Sequence, residues 1–165
     1  MEYSEKIAER IEAYLKKQDW TYEFDAIHGN FSVEAELSCR LKTVLIVTQV
    51  QNDSFVSYAG IGPEAGVQCR IAVGEYLHRA NYGLARGCFE MNYDDGSIHY
   101  RTFTDCSEQL PSEKMIADSY IIPLAVIDHY GDGLLSLIDG AMSTAARLIL
   151  EAEEKLSEKQ GSEKI

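Results

Sequence analysis

The stretch from Arg79 to Asp105, RANYGLARGCFEMNYDDGSIHYRTFTD, constrains the fold most. It reads as a helix end, a Gly stop at Gly83 and then a β-hairpin. With Asp95-Gly96 as a two-residue loop, Tyr93 faces Ile98 and Met91 faces Tyr100 on one side. On the other side Asn92 meets His99, Glu90 meets Arg101 and Arg86 meets Asp105. One register thus yields two apolar pairs and two opposite-charge pairs, and a slip by one residue spoils all four.

At 165 residues the chain suits a single domain that buries about 70% of its unfolded surface. The apolar fraction of 45% and the ten tyrosines favour a packed core over disorder. Twenty-seven acidic against 15 basic residues leave a net charge of -12. Such a surface repels phosphate backbones, so no nucleic-acid partner is expected. The first residues, MEYSEKIAERIEAYLKK, carry no apolar signal region, and the apolar run Tyr120 to Ile127 is too short to span a bilayer. No membrane partner is expected, and the expected location is the cytoplasm. Cys39, Cys69, Cys88 and Cys106 are widely spaced, with no C-x-x-C pair, which fits four free thiols in a reducing compartment.

Ser4 caps a first helix running to about Gln18, with Tyr3, Ile7, Ile11, Tyr14 and Leu15 as its apolar stripe. Trp20, Tyr22, Phe24 and Ala26 alternate with polar residues as a half-buried strand. His28-Gly29-Asn30 is a turn, and Phe31 to Cys39 alternates again. Thr43 to Gln51 is apolar on both parities through Val44, Leu45, Ile46 and Val47. That suits an interior strand covered on both sides, or one whose second face meets another subunit. After Asn52-Asp53 comes a strand from Ser54 to Ile61, and short loops make an antiparallel meander the economical connection.

Gly60 to Gly66 has the spacing G-x-G-x-x-x-G, one residue too long for a dinucleotide fingerprint. It reads instead as a turn into a helix with Pro63 first, running to about Tyr82 and lining Val67, Ile71, Gly74 and Leu77 on one face. At Gly74 a second backbone has room to approach. After the hairpin, a helix begins near Ser112, is kinked at Pro123 and ends at His129-Tyr130-Gly131. Asp132 then caps a last helix whose seam is Leu135, Ile138, Met142, Ala145, Ile149, Ala152 and Leu156. Its first half is expected to pack on the domain, and its thinner second half to meet a partner helix or project into solvent. One domain is expected over residues 1–156, with a frayed tail over 157–165.

Chemistry finds little footing in these residues. His28, His78, His99 and His129 are scattered, without metal-ligand spacing, so neither metal nor cofactor is expected. Asp128-His129 near Ser119 or Ser136 lacks a nucleophile elbow or a Gly-rich oxyanion turn. Asn92 to Gly96 lacks the downstream Glu of a calcium loop.

The segments Pro63-Glu64, R-A-N-Y-G-L, G-C-F-E-M, D-D-G-S-I-H-Y-R-T, Ile127 to Tyr130 and Leu137 to Gly140 resemble the bacterial YbjN family, over roughly half the chain. That family resembles type III secretion chaperones in fold. The resemblance implies an α+β fold, an antiparallel sheet with helices packed against it. It also implies a small non-enzymatic protein- or peptide-binding module, chaperone-like or regulatory, often dimeric. Family members are often described as sensory transduction regulators. The expected partner or dimer surface comprises Ile46, Ile71, Gly74, Leu77, Ile149 and Leu156. The alternative is a small-molecule binder or enzyme with a pocket near Gly60–Gly66 or His129.

Overall fold

The computed structural model describes residues 3–140 and 144–162, with side chains through Leu156. In chain order the elements are α1 (Glu5–Lys17), β1 (Glu23–Asp25), β2 (Asn30–Glu36), β3 (Thr43–Val50), β4 (Ser54–Ile61), α2 (Arg70–Tyr82), β5 (Cys88–Met91), β6 (Ile98–Asp105), α3 (Glu113–Ile138) and α4 (Ala145–Ser162). The strands form one six-stranded antiparallel sheet in the order β1-β2-β3-β4-β6-β5. The fold is therefore α+β, as expected.

The core side chains of the sheet, Val56 aside, lie on one face. Alternation places Phe31 and Val33 of β2, Val44, Ile46 and Val50 of β3, Phe55 and Ala59 of β4, and Ile98 and Tyr100 of β6 in a single buried cluster with the helices. α1 contributes Ile7, Ile11 and Leu15, and Ser4 caps it by accepting the Ile7 N–H. Thr48, Ser57 and Tyr120 bring hydroxyls into this core, and they bond one another there: Thr48 Oγ1 to Ser57 Oγ at 2.8 Å and to Tyr120 Oη at 3.0 Å. Their mutual partners remove the cost of burying them.

Among the described residues, no helix packs on the second face of the sheet. β3 is interior in the sheet but is covered on one side only: Val44 and Ile46 are buried, whereas Leu45 is 49% exposed. The two-sided apolarity of this strand thus marks an open face.

The hairpin forms, but with a longer turn. β5 ends at Met91 and β6 begins at Ile98, so Met91 pairs with Ile98, Phe89 with Tyr100, Glu90 with His99 and Cys88 with Arg101. Asn92 to Ser97 is a self-bonded loop in which Gly96 N–H reaches Asn92 O and Asn92 N–H reaches Ser97 O. Asx turns by Asn92 and Asp95 give this loop more hydrogen bonds than a two-residue turn holds. The register shifts by two residues, so each side chain keeps its face. Glu90 still meets Arg101, now diagonally, with Arg101 Nε 2.8 Å from Glu90 Oε1. Arg86 pairs with Asp118 of α3 instead of Asp105.

The helices differ more from expectation. Gly62-Pro63 is a cis peptide, and α2 starts only at Arg70. Its buried side is Val73, Tyr76, Leu77 and Ala80, and Gly83 sits in a right-handed conformation. A side chain, the Tyr93 phenol, covers Gly74 in place of a second backbone. α3 runs unbroken through Pro123 and Gly131 to Ile138. The Pro123 ring lacks the N–H that would bond Ser119 O, and Thr102 Oγ1 reaches that carbonyl at 3.5 Å. Gly131 is a packing residue, since a Cβ there would press on Cys39 Sγ and Leu41. The chain reverses at Gly140 (φ 82°), so Leu135 and Ile138 belong to α3 and Ala145, Ile149, Ala152 and Leu156 to α4. The expected single seam is split by this reversal, and Met142 lies outside the described residues. α4 continues as helix to Ser162; residues 163–165 of the expected tail lie outside the described residues. Unbroken, α3 has the length and composition of a membrane-crossing helix, yet Ile116, Tyr120, Ile127 and Leu134 along it are fully buried in this fold.

Candidate binding surface

Of the six residues expected to form a partner surface, three lie inside and Gly74 is half-buried under Tyr93. Ile46 is fully buried beneath the helices, Leu77 packs in the core and Ile149 is buried where α4 meets the body. In each case a helix stripe or strand parity turned inward because the core lies on that side. Ile71 and Leu156 are exposed, and they sit on separate helices.

The uncovered sheet face supplies a different surface. Reading across the ladder, Leu45, Gly60 and His99 form one row, Val47, Tyr58 and Arg101 the next, and Gln49, Val56 and Phe103 a third. An apolar diagonal runs from Leu45 through Val47, Tyr58 and Val56 to Phe103. Val56 is 6% exposed yet belongs to no helix-packed cluster, and Phe103 at the end of the diagonal is 57% exposed. Glu34 and Glu36 flank this diagonal on β2. On the opposite flank Glu90 binds His99 Nε2 at 2.8 Å and Arg101, while the Tyr58 ring stands edge-on to His99. Burial raises the Glu90 pKa, but the hydrogen bonds from His99 and Arg101 outweigh it and hold the carboxyl below its usual range. Burial first, then Glu90, pushes the neighbouring Cys88 thiol up and keeps it protonated at neutral pH.

The sheet edge beyond this face is asymmetric. On β5, the Asn81 side chain of α2 donates to Phe89 O at 2.9 Å and accepts from Phe89 N–H at 2.8 Å. The amide thus stands in for a neighbouring strand and closes that edge. Among the described residues the second half of β6 has no such cover. The strand pairing with β5 stops at Arg101, because Gly87 (φ 70°) turns the preceding chain off the sheet. Arg86, which would face Phe103, instead accepts the Tyr100 hydroxyl on its carbonyl and sends its guanidinium to Asp118. Between Thr102–Asp105 and one face of α3 (Met115, Ser119, Ile122, with the N-cap Ser112) lies a groove of about 560 Å³.

The pocket expected at His129 also exists, at about 290 Å³, between the β2–β3 loop, α3 and α4. Its carboxylates are engaged: Asp128 accepts Ser38 and Cys39 N–H at 2.7 and 3.0 Å, and Asp132 accepts Arg40 N–H at 2.8 Å. Asp132 therefore anchors a loop and caps no helix. Burial pushes the Cys39 thiol up, with Asp128 and Asp132 adding to the shift, so the thiolate needed for attack is disfavoured. The Gly60–Gly66 run lines neither cavity; Ala65 N–H bonds Gly96 O and ties this turn to the hairpin loop. Among the described residues no group of three or more His, Cys, Asp or Glu side chains is placed to hold a metal ion. Neither the Asn81 clasp nor the β6 groove is foreseen by pattern alone; the one signal was Gly87, which reads equally as a hairpin lead-in. No protein-family model matches the chain, and no curated protein matches it.

Proposed function

We propose that this protein is a non-enzymatic binding module for protein or peptide segments, chaperone-like or regulatory, that acts as a homodimer in the cytoplasm. The observation that carries this reading is the bare sheet face with its apolar diagonal, Leu45-Val47-Tyr58-Val56-Phe103. Leu45 and Phe103 are exposed at its two ends, and a contiguous apolar patch left free of helices marks a place for a protein partner. The resemblance to the YbjN family and, through it, to type III secretion chaperones points the same way. Val47→Asp tests the reading without touching the core, since Val47 lies on the open face. Light scattering should give a dimer for the wild type and a monomer for the variant. A native-lysate pull-down should lose its partner band in the same variant. A monomeric wild type whose captured proteins are identical to those of the variant overturns the proposal.

The cavity beside His129 supports a second reading, a small-molecule site. Its acids already bind the β2–β3 loop, which leaves fewer groups to orient a ligand. A thermal-shift screen against metabolites distinguishes the two, because a ligand of that cavity would raise the melting temperature.

A further inference from the structure

The edge of β6 carries chemistry of its own. A Cβ at Gly87 would strike Arg101 O, so the Arg101 backbone polar groups point toward β5. By strand alternation those of Phe103 and Asp105 point the same way, while Cys106 N–H turns to the other side and bonds Asp53 O. Beyond Gly87 no strand among the described residues pairs with them, and Ala85 and Arg86 line the groove without joining the ladder. Two N–H donors and two C=O acceptors thus face the groove at the spacing of a ladder, in the half of the edge that no Asn81-like clasp covers. Opposite them, Met115, Ser119 and Ile122 of α3, with its N-cap Ser112, recur at helical spacing and form the far wall.

The geometry points to this groove as the seat of a short extended peptide, which adds to the sheet as a strand in line with β5. The inference rests on the binding-module reading and names the partner class and place. An extended backbone is the ligand that satisfies donors and acceptors alternating along one edge, and a flanking helix reads its alternate side chains. A side chain turned inward meets Met115 and Ile122, so a medium apolar residue fits there. Lys114 and Arg86 at the rim are held by Asp118, and the chain as a whole carries -12, so the segment is one free of acidic residues.

The probe is a pool of acetylated, amidated heptapeptides alternating Val or Ile with Ser, Thr or Lys, alongside the same pool with Pro replacing each Val and Ile. Hydrogen exchange on the full chain should show the Phe103 and Asp105 amides exchanging faster than Arg101 in the free protein. The first pool should slow both about tenfold or more, and the Pro pool should not. Phe103→Pro deletes the edge N–H and should abolish binding of the pool, while Phe103→Ala keeps that N–H and should retain the exchange protection at Asp105. The inference is overturned if the first pool protects neither amide, or if Phe103→Pro binds as Phe103→Ala does. It is also overturned if both amides are protected in the concentrated free protein and released on dilution to monomer, since a second copy then fills the edge. Loss of dimer and partner in Val47→Asp, with any of these outcomes, leaves the open-face reading standing and removes only the edge.

Discussion

Single side chains carry several of the less obvious contributions to this fold. Asn81 pairs both backbone groups of Phe89. Asn81→Ala should therefore strand a donor and an acceptor at the β5 edge and cost about 2 kcal/mol, measurable by urea denaturation. Tyr76 donates its buried hydroxyl to Tyr130 O at 2.8 Å. Tyr76→Phe should cost about 1 kcal/mol in the same assay, with the ring packing kept. At this scale the sequence was readable where charge and parity coincide: Glu90 with Arg101, Ser4 as a cap, the α1 stripe. It was opaque at Asn81, because nothing local distinguishes an Asn near a helix end from one that clasps a strand.

Among elements, the link between the β2–β3 loop and α3 matters most for architecture. Asp128 holds two loop N–H groups and Asp132 a third, while Arg40 returns to Asp139 at 3.0 Å. Asp128→Ala should release the loop, with faster hydrogen exchange at Ser38 and Cys39 and a loss of about 2 kcal/mol. The close fit at Gly131 explains why the helix continues where a glycine reads as a stop. Helix-breaking residues predict termination only when water can take the freed groups; here the β2–β3 loop packs against Gly131 instead. Strand order along the meander was legible from short loops, whereas the α2 face was not. Ile71 with Gly74 and Leu77 fits a helical stripe as well as Val73 with Tyr76 and Ala80 does, and only the position of the sheet selects between them.

For the molecule as a whole, the buried phenols predict a distinctive pH response. Burial raises the pKa of Tyr76 and Tyr120 well above the ordinary phenol value and pushes Tyr100 up to about 12. A raised folded-state pKa means the associated stability is complete below the unfolded value of about 10 and is lost as pH climbs through the folded one. Urea midpoints should therefore fall steadily from pH 10 to 12, and the decline should be shallower in Tyr100→Phe. The acid limb has the opposite sign. The hydrogen bond from Lys114 and then that from Arg86 hold Asp118 below its usual range, and Glu90 is held down as described. The stability that these carboxylates supply is present above the ordinary carboxylate pKa and lost as pH falls through their depressed values.

Periodicity, turn residues and charge pairing were sufficient for the α+β class, for most strands of the meander and for the faces of the hairpin, because those signals act between neighbours in the chain. The tertiary structure alone decided that the four described helices lie on one side of the sheet, that β3 turns its second apolar parity outward, and that α3 passes through Gly131. Each of those outcomes depends on which surfaces meet across many intervening residues, and burial is gained only when the partner surface is already in place.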